Sequence, residues 1–74
     1  TGTAALTTAA RIGRAADNDI VVADVLASRY HAQLSPGPAG AQIRDLNSIN
    51  GTFVNGVRVG SAFLSEGDVV TIGN

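Results

Sequence analysis

The chain has 74 residues, begins at Thr1, and carries a formal net charge of −1, with all five of its basic residues arginines. That is room for one domain and a modest core, without a cysteine for a disulfide or a thiolate metal site and without the run of about 18 apolar residues that spans a membrane. Nucleic acid is a poor match for this balance, because phosphate-backbone affinity comes from clustered positive charge; a bound anion would need a local pair of arginines.

In chain order, Thr1 to Ala10 is rich in Thr and Ala. It is read as a separate N-terminal segment, a weak strand around Leu6 or a frayed end, with the domain proper over residues 11–74. No signal-peptide pattern opens it. Ala10-Arg11-Ile12-Gly13-Arg14 is a short β-compatible segment, and Asp17-Asn18-Asp19 a turn cluster. Ile20-Val21-Val22 is short and β-branched, which predicts a buried strand. Asp24 to Arg29 is irregular. From Tyr30 to Leu34 the residues alternate, which predicts Tyr30, Ala32 and Leu34 on one face and His31 and Gln33 on the other.

Ser35 to Gly40 holds two prolines and two glycines and predicts a connector between antiparallel strands, the second being Ala41 to Arg44. Asp45 to Gly51 is a polar loop with the first Asn-Gly pair. Thr52-Phe53-Val54 and Val57-Arg58-Val59 flank the second pair, Asn55-Gly56. Two β-rich runs around Asn-Gly are a strong hairpin signal, since both loop positions need φ > 0. Gly60 breaks the strand. Ala62-Phe63-Leu64 is apolar, Ser65 to Asp68 is a turn, and Val69 to Ile72 is the last strand. Gly73-Asn74 then signals another turn, which leads us to expect a fragment of a larger protein or a domain with missing terminal edge strands.

Nowhere do apolar residues recur at helical spacing over a full helix. Short strands with turn chemistry between them predict an all-β fold, a twisted antiparallel β-sandwich or barrel.

Four clusters carry polar chemistry: Gly13-Arg14, Ser28-Arg29-Tyr30-His31, Ser48-Ile49-Asn50-Gly51-Thr52 and Asn55-Gly56. Their order and spacing resemble the forkhead-associated (FHA) domain, marked by Gly-Arg, Ser-x-x-His, Ser-x-Asn-Gly-Thr and Asn-Gly. The resemblance covers Ile12 to Gly73. Each motif alone is weak, and their succession is specific. The chain is also similar to FHA domains attached to actinobacterial ABC transporters. That similarity implies a cytoplasmic domain tethered to a membrane transporter, with no direct membrane contact of its own.

The resemblance implies a β-sandwich whose loops, at one end, bind phosphothreonine in a partner protein, with no cofactor. Phosphothreonine carries close to two negative charges and three strong acceptor oxygens, and Arg clusters are an established way to recognise it. Arg14 is expected to contact phosphate through its planar fork, Ser28 to donate a hydroxyl, and Arg29 to flank the phosphate or the peptide. Asn50 is expected to hold the peptide backbone through its amide. Ile49 stands where the family often has Thr or Ser. It cannot donate from its side chain, so main-chain contact or packing on the threonine methyl is expected. Gly13, His31, Ser48, Gly51, Thr52, Asn55 and Gly56 are expected to support the site. His31 is expected to be buried and to hold the binding loop, and Ser48 to cap its own loop.

Other classes fit less well. Each cluster residue also has a purely structural role open to it: Ser28 as turn chemistry, Arg14 and Arg29 as solvated charges. The alternative function is therefore a constitutive interaction domain without phosphate dependence. A Ser28–His31 pair with Asp24 or Asp45 suggests a hydrolytic triad on paper, but triads are defined by geometry, not sequence proximity. One histidine without cysteine cannot supply a zinc cage. An OB-like nucleic-acid barrel would want an aromatic-basic surface, whereas Phe53 and Phe63 fall in predicted core strands.

Overall fold

A computed structural model describes residues 9–38 and 40–72. The weak strand expected around Leu6 and the turn expected at Gly73-Asn74 therefore lie outside the described residues. Eight short strands are present among them: β1 (Ala10–Gly13), β2 (Ile20–Val21), β3 (Ala32–Ser35), β4 (Gln42–Asp45), β5 (Thr52–Val54), β6 (Val57–Val59), β7 (Ser61–Phe63) and β8 (Val70–Ile72). They form a five-stranded sheet in the order β2-β1-β3-β4-β7 and a three-stranded sheet in the order β6-β5-β8. Every pair is antiparallel except β1 with β2. The predicted all-β sandwich is the observed fold.

Register explains the core. Ile12 sits opposite Ala32, Leu34 opposite Ile43, and Ile43 opposite Ala62. Ile12, Ala32 and Ile43 are buried, and Val54, Val70 and Ile72 of the second sheet pack against them. In β5 and β8 the inward residues recur at every second position, as a pleated strand requires: Thr52 faces Ile72, and Val54 faces Val70.

Three sequence expectations need correction. Ile20 and Val21 are not buried; they are 45% and 53% exposed, because β2 is an edge strand and only Val22 reaches the core. Phe63 is 70% exposed, since alternation in β7 turns Ala62 inward and Phe63 outward. The Tyr30-to-Leu34 alternation fails at its start. His31 and Ala32 are adjacent and both 0% exposed, which a continuous strand would not allow. β3 begins only at Ala32, and the bend before it turns His31 inward.

The Asn55-Gly56 hairpin forms as predicted, with φ of 52° and 82° at its two turn residues. Asn55 also reaches the turn before β8. Its Nδ2 donates to Asp68 Oδ1 (3.0 Å), and its Oδ1 accepts from Val69 N–H (3.0 Å). The Ser65 N–H and then Asn55 hold the Asp68 carboxyl below its ordinary pKa. Asn55→Ala removes these bonds and strains the left-handed position. We expect it to lower stability by about 1–2 kcal/mol, read as a fall in melting temperature. An unchanged melting temperature would show that the turn does not depend on Asn55.

Candidate functional site

Three loops meet at one end of the sandwich: the chain after β1, the segment Leu26 to His31 before β3, and Leu46 to Gly51 between β4 and β5. The Asn55-Gly56 turn lies at the other end of β5.

Gly13 allows the first two loops to touch. A Cβ there would lie 2.2 Å from the Arg29 carbonyl oxygen, so only glycine permits the approach. Backbone bonds then stitch the loops together, from Arg14 N–H to Ser28 O (3.0 Å), Ala15 N–H to Arg29 O (3.1 Å) and His31 N–H to Ile12 O (2.8 Å). Asn18 reinforces the seam. Its Nδ2 donates to Ala15 O at 2.8 Å and to Arg29 O at 2.7 Å. The sequence had shown Asn18 only as a member of a turn cluster, and no local signal marks its long-range role. Tyr30, in the same loop, donates its hydroxyl to Asp17. That bond is the main cause of its raised pKa.

His31 joins the second loop to the third. Its Nδ1 accepts from the Ser28 backbone N–H at 3.0 Å, and its Nε2 lies 2.7 Å from the Gly51 carbonyl. A carbonyl only accepts and an N–H only donates, so the ring is the Nε2–H tautomer with both nitrogens occupied. The Ser28 hydroxyl is not bonded to His31. It accepts from Ile49 N–H at 3.2 Å. The geometry thus lacks the nucleophile–base contact of a Ser–His hydrolase.

Asp45 organises the third loop. Its carboxylate accepts from the hydroxyl and N–H of Ser48 and from the Thr52 hydroxyl. Ser48 Oγ in turn accepts from Gly51 N–H at 3.0 Å, which closes the loop. Thr52 is fully buried. Asn47 and Gly51 supply the two positive φ angles, 61° and 96°. Across the seam, Asn50 Nδ2 donates to Leu26 O at 2.7 Å.

The five sequence-predicted contact residues, Arg14, Ser28, Arg29, Ile49 and Asn50, all lie on these three loops. Arg14 is exposed, and its Nε donates to Ala27 O at 3.1 Å. Among the described residues no hydrogen bond occupies its terminal NH2 groups. Ser28, having accepted from Ile49, keeps its own hydroxyl hydrogen to give. Ile49 is 85% exposed, but its N–H is already taken by Ser28, so its side chain is what it offers. Asn50 keeps its Oδ1 and one N–H. Arg29 is exposed, and its buried contribution is its carbonyl. Groups of His, Cys, Asp or Glu able to hold a metal ion are absent among the described residues, as is a helix long and apolar enough to cross a membrane.

The Asp45 carboxyl feels two opposed influences. Burial pushes its pKa up, but the bonds from Ser48 and Thr52 outweigh this and hold it below the ordinary value. A carboxyl depressed on folding stabilises the native state above its unfolded pKa, about 3.9. That stability is lost as pH falls through the lower native value. We expect the stability advantage of the natural chain over Asp45→Asn to stay flat from pH 7 to about pH 4 and to shrink below. Denaturant titrations across that range check it, and a gap independent of pH would refute it.

Comparisons with known proteins identify relatives of this chain. The family model described as "FHA domain" matches residues 10–73. The ABC transporter ATP-binding/permease protein Rv1747 of Mycobacterium tuberculosis is 70% identical over 66 residues, which cover 89% of this chain and 8% of that protein. The chain spans less than half the length of the curated relatives it matches. The solution structure of the FHA-2 domain of Rv1747 matches with a TM-score of 0.81 and 65% identity, over 100% of this chain and 68% of that one. A structure from a study of phosphothreonine-dependent FHA domain interactions matches with a TM-score of 0.84 and 36% identity, over 89% of this chain and 69% of that one. The chain belongs to the FHA domain family.

Proposed function

We propose that this domain binds phosphothreonine in a partner protein, through Arg14, Ser28, Arg29, Ile49 and Asn50, and performs no catalysis of its own. The observation that carries this is the state of the donors. Arg14 is braced at Nε with its outer nitrogens free, and Ser28 is braced at its acceptor side with its hydrogen free. Both stand on loops locked by His31, Asn18 and Asp45. Donors held in place before the ligand arrives lose less entropy on binding. The phosphothreonine-dependent interactions of the solved FHA relative support the same reading.

Within the site, Arg14 makes charge-assisted bonds to phosphate, and Ser28 donates a second. Asn50 holds the peptide backbone with its free amide atoms, and Arg29 flanks. The Ile49 side chain packs on the threonine methyl. One buried methyl is worth about 0.8 kcal/mol, so discrimination against phosphoserine is expected to be roughly fourfold from transfer alone. The 70% identity to a segment of a transporter supports a host protein of that kind. We place the domain on the cytoplasmic side of such a host, where ATP-dependent kinases act, in a signalling or regulatory role.

The test is a titration with a phosphothreonine peptide library beside matched phosphoserine and unphosphorylated sets. Binding that requires the phosphate supports the proposal. Equal binding without phosphate would favour a constitutive interaction domain. Losing one member of a charged pair costs about 2–5 kcal/mol, so Arg14→Ala should weaken phosphopeptide binding more than tenfold with the fold intact by circular dichroism. Ser28→Ala should weaken it as well. Full binding after Arg14→Ala would remove Arg14 from the site.

A further inference from the structure

Arg58 is an exposed residue of β6, opposite Phe53 of β5. Its side chain does not simply extend into solvent. A Cβ built on Gly51 would lie 2.7 Å from Arg58 Nε, 3.1 Å from Cζ and 3.2 Å from Cδ. The guanidinium therefore lies across the Gly51 backbone, on the loop that carries Ile49 and Asn50. Those two residues are the ones bonded to Ser28 and to the Leu26 carbonyl.

Two further facts give this placement meaning. Among the described residues, no hydrogen bond or ion pair takes up the Arg58 charge. The neighbouring carboxylate of the loop, Asp45, is spent on Ser48 and Thr52. Gly51 also does more than satisfy its turn. Its φ of 96° lies beyond the 61° and 52° that Asn47 and Asn55 adopt, and a Cβ there would also displace the Arg58 side chain.

We propose that Arg58 is a specificity-determining residue of the phosphothreonine site, receiving a carboxylate side chain of the partner close to the phosphothreonine. The inference rests on the phosphothreonine reading above. A guanidinium presents a planar fork that pairs with a carboxylate through two parallel bonds, which a lysine cannot copy. Because Arg58 is solvent-exposed, the gain is that of a surface ion pair and is weakened by salt.

The experiment uses phosphothreonine peptides that differ only by Asp or Asn at each position flanking the phosphothreonine, titrated into the natural domain and into Arg58→Ala, Arg58→Lys and Arg58→Glu. The natural domain should prefer Asp over Asn at one flanking position by about two- to fivefold. Arg58→Ala should abolish that preference while binding the Asn peptide within twofold of the natural domain. Arg58→Lys should retain part of it, and Arg58→Glu should reverse it. An Asp preference unchanged in Arg58→Ala, or absent from the natural domain while the phosphopeptides still bind, would overturn the assignment and leave the phosphothreonine reading standing. Failure of all phosphopeptides to bind better than unphosphorylated ones would overturn both.

Discussion

The imidazole of His31 is the clasp on which the proposed binding end of this sandwich depends. Fully buried, it takes the Ser28 N–H at one nitrogen and gives its Nε2–H to the Gly51 carbonyl at the other. These are main-chain groups of two different loops, more than twenty residues apart in sequence, so no local turn chemistry could have joined them. Without the ring the Gly51 carbonyl would be a buried polar group without a partner, at a cost of about 1–3 kcal/mol, and the half-buried Ser28 N–H would lose its acceptor. Removing the ring would therefore cost the fold as well as the site.

The rest of the end follows from that clasp. Ser28 is fixed by its backbone, so its hydroxyl can accept from Ile49 and still has a hydrogen to donate. Gly51 is fixed by its carbonyl, so Ser48 can close the loop onto its N–H while Asp45 holds Ser48. Gly13 and Asn18 bring Arg14 alongside. With Ile12, Ala32 and Ile43 alone, among the described residues, buried in the apolar core cluster, such a small fold fixes its loops with polar networks. Those networks are sound only because nearly every member is satisfied; among the described residues, Asn18 Oδ1 is the exception.

The parts of this molecule that were legible in the sequence are those set by local chemistry. Asn55-Gly56 between two β-branched runs specified its hairpin because left-handed φ is a property of those two residues. Pro36 and Pro38, which have no N–H to give a ladder, and Gly40, at a φ of 114°, marked the β3–β4 connection just as locally. What the sequence hid depends on long-range placement. Ile20 and Val21 look like core, but whether a β-branched strand is central or at an edge is decided by its neighbours in the sheet. Alternation predicted opposite faces for His31 and Ala32, and a bend at the start of β3 buried both. Asn18 and Arg58 act through contacts far along the chain, with Arg29 and Gly51, which residue type alone does not signal. The candidate contact residues were readable only because four clusters, each weak by itself, occur in one order.

The central claim is that a phosphothreonine is captured by loops already locked in place. A chemical-shift titration of isotope-labelled domain with a phosphothreonine peptide tests this most directly. The account predicts that shifts concentrate at Arg14, Ser28, Ile49 and Asn50, that the Asn55-Gly56 end stays silent, and that the His31 ring keeps its Nε2–H tautomer throughout. Shifts centred elsewhere, the same shifts with the unphosphorylated peptide, or a change of the His31 tautomer on binding would contradict it.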